Sequence, residues 1–233
     1  MKNSVGVIGG LGPLATSYFM TLVINNTKAE KDQDHIDMVV LNHATTFDRT
    51  DYIMGVSSNN PAKTLIEDAK LLQSIGCKFL VMPCNTAHYF YDEITKNVDI
   101  DFLNIVECSI NKIKIENAKV GVMATDGTLK AKTYQNAIES KKMKYFTPSD
   151  YIQKKIMDFI YNGVKKGKKV SRDNFMSVIN YFFENGCDYI IVGCTELSVI
   201  YTDLKIKDNR IIDSLTILAK ETIKKSGKEL IDE

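Results

Sequence analysis

The chain has 233 residues, 44% hydrophobic and 25% charged, with 30 Lys and Arg against 29 Asp and Glu and a formal charge of +1. This balance excludes the basic footprint of a nucleic-acid or anionic-membrane binder, and the composition excludes a disordered or fibrous chain. No apolar run approaches the about 18 residues of a membrane helix.

The N-terminal MKNSVGVIGGLGP reads as a first strand, Val5–Ile8, rather than a signal peptide, because Gly9, Gly10 and Gly12 break its apolar run. Further short apolar runs predict strands at Met38–Leu41, Phe79–Met82, Phe102–Val106, Lys119–Met123, Lys144–Phe146, Tyr189–Val192 and Arg210–Ile212. Amphipathic stretches between them predict helices near 14–27, 61–75, 86–96, 107–115, 128–140, 150–164, 172–185 and 214–226. Pro13 and Pro61 suit first-turn positions, and Ser171 and Ser214 suit caps. Strands that are apolar throughout and separated by helices belong to parallel sheets covered on both faces, so the fold class is α/β. The five cysteines are an odd count with no CxxC pair, which argues against a disulfide framework. The chain reads as cytoplasmic, with reduced thiols.

The chain also repeats itself. LLQSIGCKFLVMPCNT (71–86) aligns without gaps on YFFENGCDYIIVGCTE (181–196), matching Gly76 with Gly186, Cys77 with Cys187 and Cys84 with Cys194. VGVIGGLGP (5–13) likewise aligns on VGVMATDGT (120–128). Likeness among parallel strands explains the apolar matches but not two Gly-Cys pairs with a second Cys at the same spacing. The repeat predicts two similar α/β lobes, each a mainly parallel sheet flanked by helices, related by pseudo-twofold symmetry.

Cys84 and Cys194 each follow a predicted strand directly and precede polar residues that can start a helix. Ligands of parallel α/β folds bind past the carboxyl ends of strands. A helix N-terminus there favours the thiolate, which predicts lowered thiol pKa values. Cys77, Cys108 and Cys187 read as small core residues. Two thiols facing one cleft from opposite lobes suit inversion of a carbon centre: one removes a proton from one face and the other supplies a proton to the opposite face. The carbanion so formed lies beside a carboxylate, which needs several donors as charge grows on it. Asn85, Thr86, Thr195 and their backbone amides are placed for this.

At these residues the sequence resembles the aspartate/glutamate racemase family, most of all its aspartate racemase branch. The segments MPCNTAH (82–88) and GCTE (193–196) are similar to its two cysteine motifs. IGGLGPLAT (8–16), DRT (48–50), ATDGT (124–128) and GVKKG (163–167) follow in the family's order. The separated His35, His43 and His88 and a Cys spacing of seven predict no metal site; the resemblance implies a two-thiol racemase needing no cofactor, acting on an amino acid as a homodimer. It implies lobes of 1–106 with 213–233, and 107–212, the last helix returning to the first lobe. It implies that Cys84 and Cys194 are the acid/base pair and that Arg49 and Lys165 hold the distal carboxylate. Asn85, Thr86 and Thr195 then surround the α-carboxylate and ammonium. From the residues alone, Arg49 is a loop arginine able to grip a carboxylate and Lys165 is one charge in the run KKGKK. Cys-Thr-Glu, where glutamate racemases carry Cys-Thr-His, favours aspartate. Asp126 stands where aspartate racemases often have threonine, and a carboxylate near the pocket either repels an acidic substrate or holds its ammonium. Glutamate and a wider amino-acid set therefore stay open.

GLGPLA (10–15) fits a dinucleotide fingerprint, but the second strand ends Leu41-Asn42-His43 without the acid that would hold a ribose, so NAD is a weak alternative. The loop reads instead as the cleft edge of lobe one, with Thr125 and Thr128 as its counterparts in lobe two. His88 lies one helical turn past Cys84 and reads as a structural or surface histidine that could tune the thiol. Glu196 either stabilises a helix start or contacts an ammonium group. Two rival functions fit the same residues: a dicarboxylate isomerase or decarboxylase, and an amino-acid-binding protein without catalysis.

Overall fold

The computed structural model of the chain describes residues 4–231; residues 1–3 and 232–233 of the expected first lobe lie outside it. The first half runs β1 (Val5–Gly9), α1 (Pro13–Asn26), β2 (Met38–Asn42), α2 (Arg49–Met54), α3 (Ala62–Ile75), β3 (Phe79–Val81), a 3-10 turn (Thr86–Phe90), α4 (Tyr91–Thr95), β4 (Asp101–Phe102) and α5 (Ile105–Ile110). The second half runs β5 (Lys119–Met123), α6 (Asp126–Ala131), α7 (Thr133–Ser140), β6 (Lys144–Phe146), α8 (Asp150–Asp158), a π-helical turn (Phe159–Gly163), a 3-10 turn (Val164–Lys166), α9 (Arg172–Glu184), β7 (Tyr189–Val192), α10 (Thr195–Asp203), β8 (Ile211–Asp213) and α11 (Ser214–Lys225). Each half forms a four-stranded parallel sheet, with orders β2-β1-β3-β4 and β6-β5-β7-β8. The second order is the first one repeated, so the two lobes share one topology.

Alternation along the strands sorts the side chains into three apolar layers. Val5, Val7, Phe79, Val81, Val120 and Val122 turn towards a central core completed by α1, α5, α7 and α11. Ile8, Leu80 and Met82 turn outwards under α3, while Met123, Ile190 and Val192 turn outwards under α8, α9 and α10. The lobes therefore share a core. The last helix, α11, packs on both α1 and α5, and the chain after it bonds back to the end of α1 through Lys28–Glu229 and Ile231–Asn26 backbone pairs.

The repeated Gly-Cys pair has a mechanical reason. Gly76 and Gly186 take φ of 93° and 76° just past the ends of α3 and α9. The following amides, of Cys77 and Cys187, reach back to the Leu72 and Phe182 carbonyls. Both helices thus stop in the same left-handed cap, which a glycine enters at little cost. Cys77 and Cys187 then enter β3 and β7 buried.

The elements correct several expectations. The fourth strand ends at Phe102, because Asn104 accepts from the Val106 and Glu107 amides and starts α5 at Ile105. The stretch 128–140 is two helices, parted at Lys132 with φ 56°; α6 packs on α2, whereas α7 packs on α5 and β6. The stretch 150–164 is α-helical only to Asp158 and continues as the π-helical turn to Gly163. Ser171 caps α9, but α11 is capped by Asp213, and Ser214 does another job described below. Arg49 opens a short helix, not a loop, capped by Asp48. Among the described residues no helix is long and apolar enough to cross a membrane.

Candidate active site

Beyond the carboxyl ends of β3 and β7, Cys84 and Cys194 line one tight cavity with about 20 Å³ of free volume, well below the range of open ligand sites. Leu11, Asp48, Arg49, Thr50, Asn85, Thr86, Thr125, Tyr161, Lys165, Thr195 and Glu196 complete its wall. Both halves of the chain contribute, and every predicted site residue except Thr128 faces this space. Thr128 lies one layer behind. Its hydroxyl closes a triangle with Thr86 and Thr125, with all three oxygen pairs 2.9–3.0 Å apart. That triangle ties the segment after Cys84 to the start of α6.

The Arg49 guanidinium is buried and mostly committed. Its Nη1 donates to the Thr46 and Phe47 carbonyls, and Nη2 donates to the Leu11 carbonyl at 2.7 Å. Five N–H groups less three leaves one on Nη2 and one on Nε, and Nε has no partner despite its burial. Lys165 comes from the 3-10 turn after the π segment. Its Nζ lies 3.7 Å from Asp48 and 4.1 Å above the Tyr161 ring. Burial works against the Lys165 ammonium, but Glu196, the Tyr161 phenol and Asp48 outweigh it and raise its pKa.

The two thiols are not alike. Cys194 Sγ donates to Glu196 Oε2 at 3.1 Å, and Thr195 Oγ1 donates to the same oxygen at 3.1 Å. Burial raises the Cys194 pKa well above the usual thiol range, and the Glu196 charge and hydrogen bond push the same way. Burial also raises Cys84, against the nearby Arg49 charge and the Ala87 backbone N–H. The expected lowering is therefore overturned. The helix starts and backbone amides are present, but complete removal from water outweighs them.

Asp126 departs from expectation, whereas His88 is the structural histidine expected, without the role in tuning the thiol. Asp126 does not face the cavity; its Oδ1 accepts from Gln153 Nε2 at 2.7 Å on the outer side of Tyr161. His88 touches no sulfur. Its ring sits 2.8 Å from the Cys84 carbonyl through Nδ1 and accepts from the Ile105 amide through Nε2. Burial lowers its pKa to about 4, so it is a neutral structural link. In lobe two Ser198 makes the matching bond to the Cys194 carbonyl. Sequence reading missed Thr50 and Tyr161; Tyr161 precedes Lys165 by four residues, a spacing that puts two side chains on one helical face.

The glycine loop has a local explanation that involves no dinucleotide. Gly10 has φ 87°, and a Cβ there would lie 2.4 Å from the His43 carbonyl carbon and 2.7 Å from the Ala44 nitrogen. Gly10→Ala is expected to cost about 3 kcal/mol from backbone strain and overpacking combined. A urea titration reads this loss. The same change is expected to shift the neighbouring Leu11 carbonyl, which accepts from Arg49. Among the described residues no group of three or more His, Cys, Asp or Glu is placed to hold a metal ion.

Comparison with known proteins agrees with this fold. The family model for Asp/Glu/hydantoin racemase matches residues 8–222. The broad specificity amino-acid racemase RacX of Bacillus subtilis (strain 168) is 27% identical over 225 residues, covering 94% of this chain and 96% of its own. The solved aspartate racemase of Picrophilus torridus superimposes with a TM-score of 0.82 at 29% identity, over 98% of this chain and 96% of that one. Glutamate racemase of Francisella tularensis subsp. tularensis SCHU S4, solved with D-glutamate, shares the fold with a TM-score of 0.65 at 18% identity, over 95% and 80%. A two-lobed α/β scaffold with a cavity between its strand ends is the class defined here. The chain belongs to the Asp/Glu/hydantoin racemase family, and it is an isomerase of that class.

Proposed function

We propose that the protein racemises an amino acid, aspartate first and glutamate or others in a wider set, by proton transfer between Cys84 and Cys194 without a cofactor. The observation that carries this is the presence of both thiols, one from each lobe, on a single small cavity. In the forward direction one thiolate takes the α-proton, and the electron pair left behind spreads onto the α-carboxylate. The opposite thiol gives its own proton to the other face. The pair ends with roles exchanged, ready for the reverse reaction.

Burial holds both thiols protonated in the free protein, so a thiolate has to be made on substrate entry. The Glu196 carboxylate already accepts the Cys194 hydrogen and is the acceptor for that proton. Asn85, Thr86 and Thr195 serve the α-carboxylate and ammonium, with Thr125 and Thr128 supporting Thr86. The two uncommitted N–H groups of Arg49 and the ammonium of Lys165 serve a distal carboxylate. Asp126 stands away from the cavity and does not oppose an acidic substrate. The proposal includes a homodimer working in the cytoplasm, carried by the family resemblance. It also includes lobes of 1–106 with 213–233 and 107–212, supported by the packing of α11 on α1.

The test is incubation with aspartate, glutamate and uncharged amino acids in D₂O without pyridoxal phosphate, followed by proton NMR and chiral chromatography. Deuterium entering Cα while optical activity decays to zero is the expected result for aspartate. No exchange with any amino acid of the panel overturns the reading.

A further inference from the structure

We propose that Tyr134 is a positioning residue which, with Ser214, sets the side-chain amide of Asn85 so that it presents an N–H to the substrate's α-carboxylate. The inference rests on the racemase reading for the identity of the ligand and on hydrogen-bond bookkeeping for the rest. Asn85 follows Cys84 directly and is buried on the cavity wall. Its Oδ1 accepts from the Tyr134 hydroxyl at 2.7 Å, and its Nδ2 lies 3.0 Å from Ser214 Oγ. Ser214 has one hydroxyl hydrogen, and it is spent on the Val192 carbonyl at 2.7 Å. Towards Asn85 the serine can therefore only accept, and the amide nitrogen has to face it. Turning the amide over would set Oδ1 against the Ser214 oxygen with no hydrogen between them.

This arithmetic decides what Asn85 can offer. One of its two amide hydrogens goes to Ser214, and one of the two lone pairs of its oxygen goes to Tyr134. The donor left over is a single N–H, which suits a carboxylate. The two anchors come from far along the chain, 49 and 129 residues away, and both lie behind the cavity wall.

Tyr134 is also tied to the other thiol's strand. Its side chain is almost completely buried, and a Cβ added at Gly193 would lie 3.1 Å from Tyr134 Cε2. A single side chain thus rests its ring beside the residue before Cys194 and its hydroxyl on the residue after Cys84. Because negative charge grows on the α-carboxylate as the proton leaves, a fixed donor there is worth more in the transition state than in the ground state.

Tyr134→Phe keeps the ring and removes only the hydroxyl. It is expected to lower kcat/KM for aspartate about tenfold or more, mostly in kcat, as does loss of a preorganised donor elsewhere. Asn85→Ala is expected to cost more, and the double variant to be no slower than Asn85→Ala alone. Independent, multiplying losses overturn the proposal, as does wild-type kcat/KM in Tyr134→Phe accompanied only by a lower unfolding temperature, which would mark a mere strut. A second measurement needs no turnover: the Asn85 side-chain amide signals in a ¹⁵N–¹H spectrum, titrated with L-aspartate. A shift in the wild type that is lost in Tyr134→Phe supports the positioning role even if no α-proton exchanges, in which case only the racemase reading falls. The same shift in both proteins, or none in either, overturns it.

Discussion

Cys84→Ala and Cys194→Ala are each expected to stop racemisation while leaving opposite halves of the chemistry intact. Each removes one of two groups that sit on the same cavity. A general acid or base contributes about 10²–10⁴ in rate, and inversion needs both, so either loss should lower racemisation at least about a hundredfold. Exchange is less demanding, because a single thiol can remove a proton, trade it with solvent and return it to the same face. In Cys84→Ala only the enantiomer whose α-hydrogen faces Cys194 should exchange in D₂O, and in Cys194→Ala only its mirror image. The rate should also differ. Cys194 keeps its Glu196 partner in the first variant. Cys84 keeps the Arg49 charge and the Ala87 N–H in the second. Proton NMR on separate D- and L-aspartate samples reads the pattern. Full racemisation in either variant, or exchange of the same enantiomer in both, would remove the two-base scheme.

Much of this fold is legible because buried parallel strands are written as short β-branched runs. Lys119–Met123 and Tyr189–Val192 occur with the expected bounds. Errors arise where one polar side chain or one backbone angle overrides a pattern. Asn104 ends an apolar run by capping a helix, and Lys132 breaks a periodic stretch with a left-handed angle that its residue type does not announce. At the site, the cysteines stand out through the repeat, because two lobes must deliver two side chains from equivalent strand ends. Their pKa direction did not, since a helix start is visible in a sequence and the depth of burial is not. The Tyr134–Asn85–Ser214 chain is invisible for a related reason. It joins residues whose only connection is the packing of two lobes on one core.

Glu196→Gln should make Cys194 more acidic and the protein slower. Burial is the largest influence raising the Cys194 pKa, with the Glu196 charge and hydrogen bond next. Removing the carboxylate lets the thiol ionise at lower pH, so iodoacetamide labelling of Cys194, followed by peptide mass mapping, should shift down in pH. If thiolate supply alone limited turnover, the variant would be faster at neutral pH. The opposite is expected, a fall in kcat/KM of about a hundredfold, because nothing then accepts the Cys194 proton as substrate enters. The fall must be equal for both enantiomers, since mirror-image substrates have equal free energies and the overall equilibrium constant is one. KM for aspartate should fall as well. The change takes one negative charge from a wall that already holds Arg49 and Lys165, so an acidic substrate binds more tightly, even though Lys165 loses the acidic neighbour that does most to keep it protonated. A lower KM with a much lower kcat locates the defect in proton transfer, whereas unchanged or raised kcat/KM would reduce Glu196 to an electrostatic brake on the thiol.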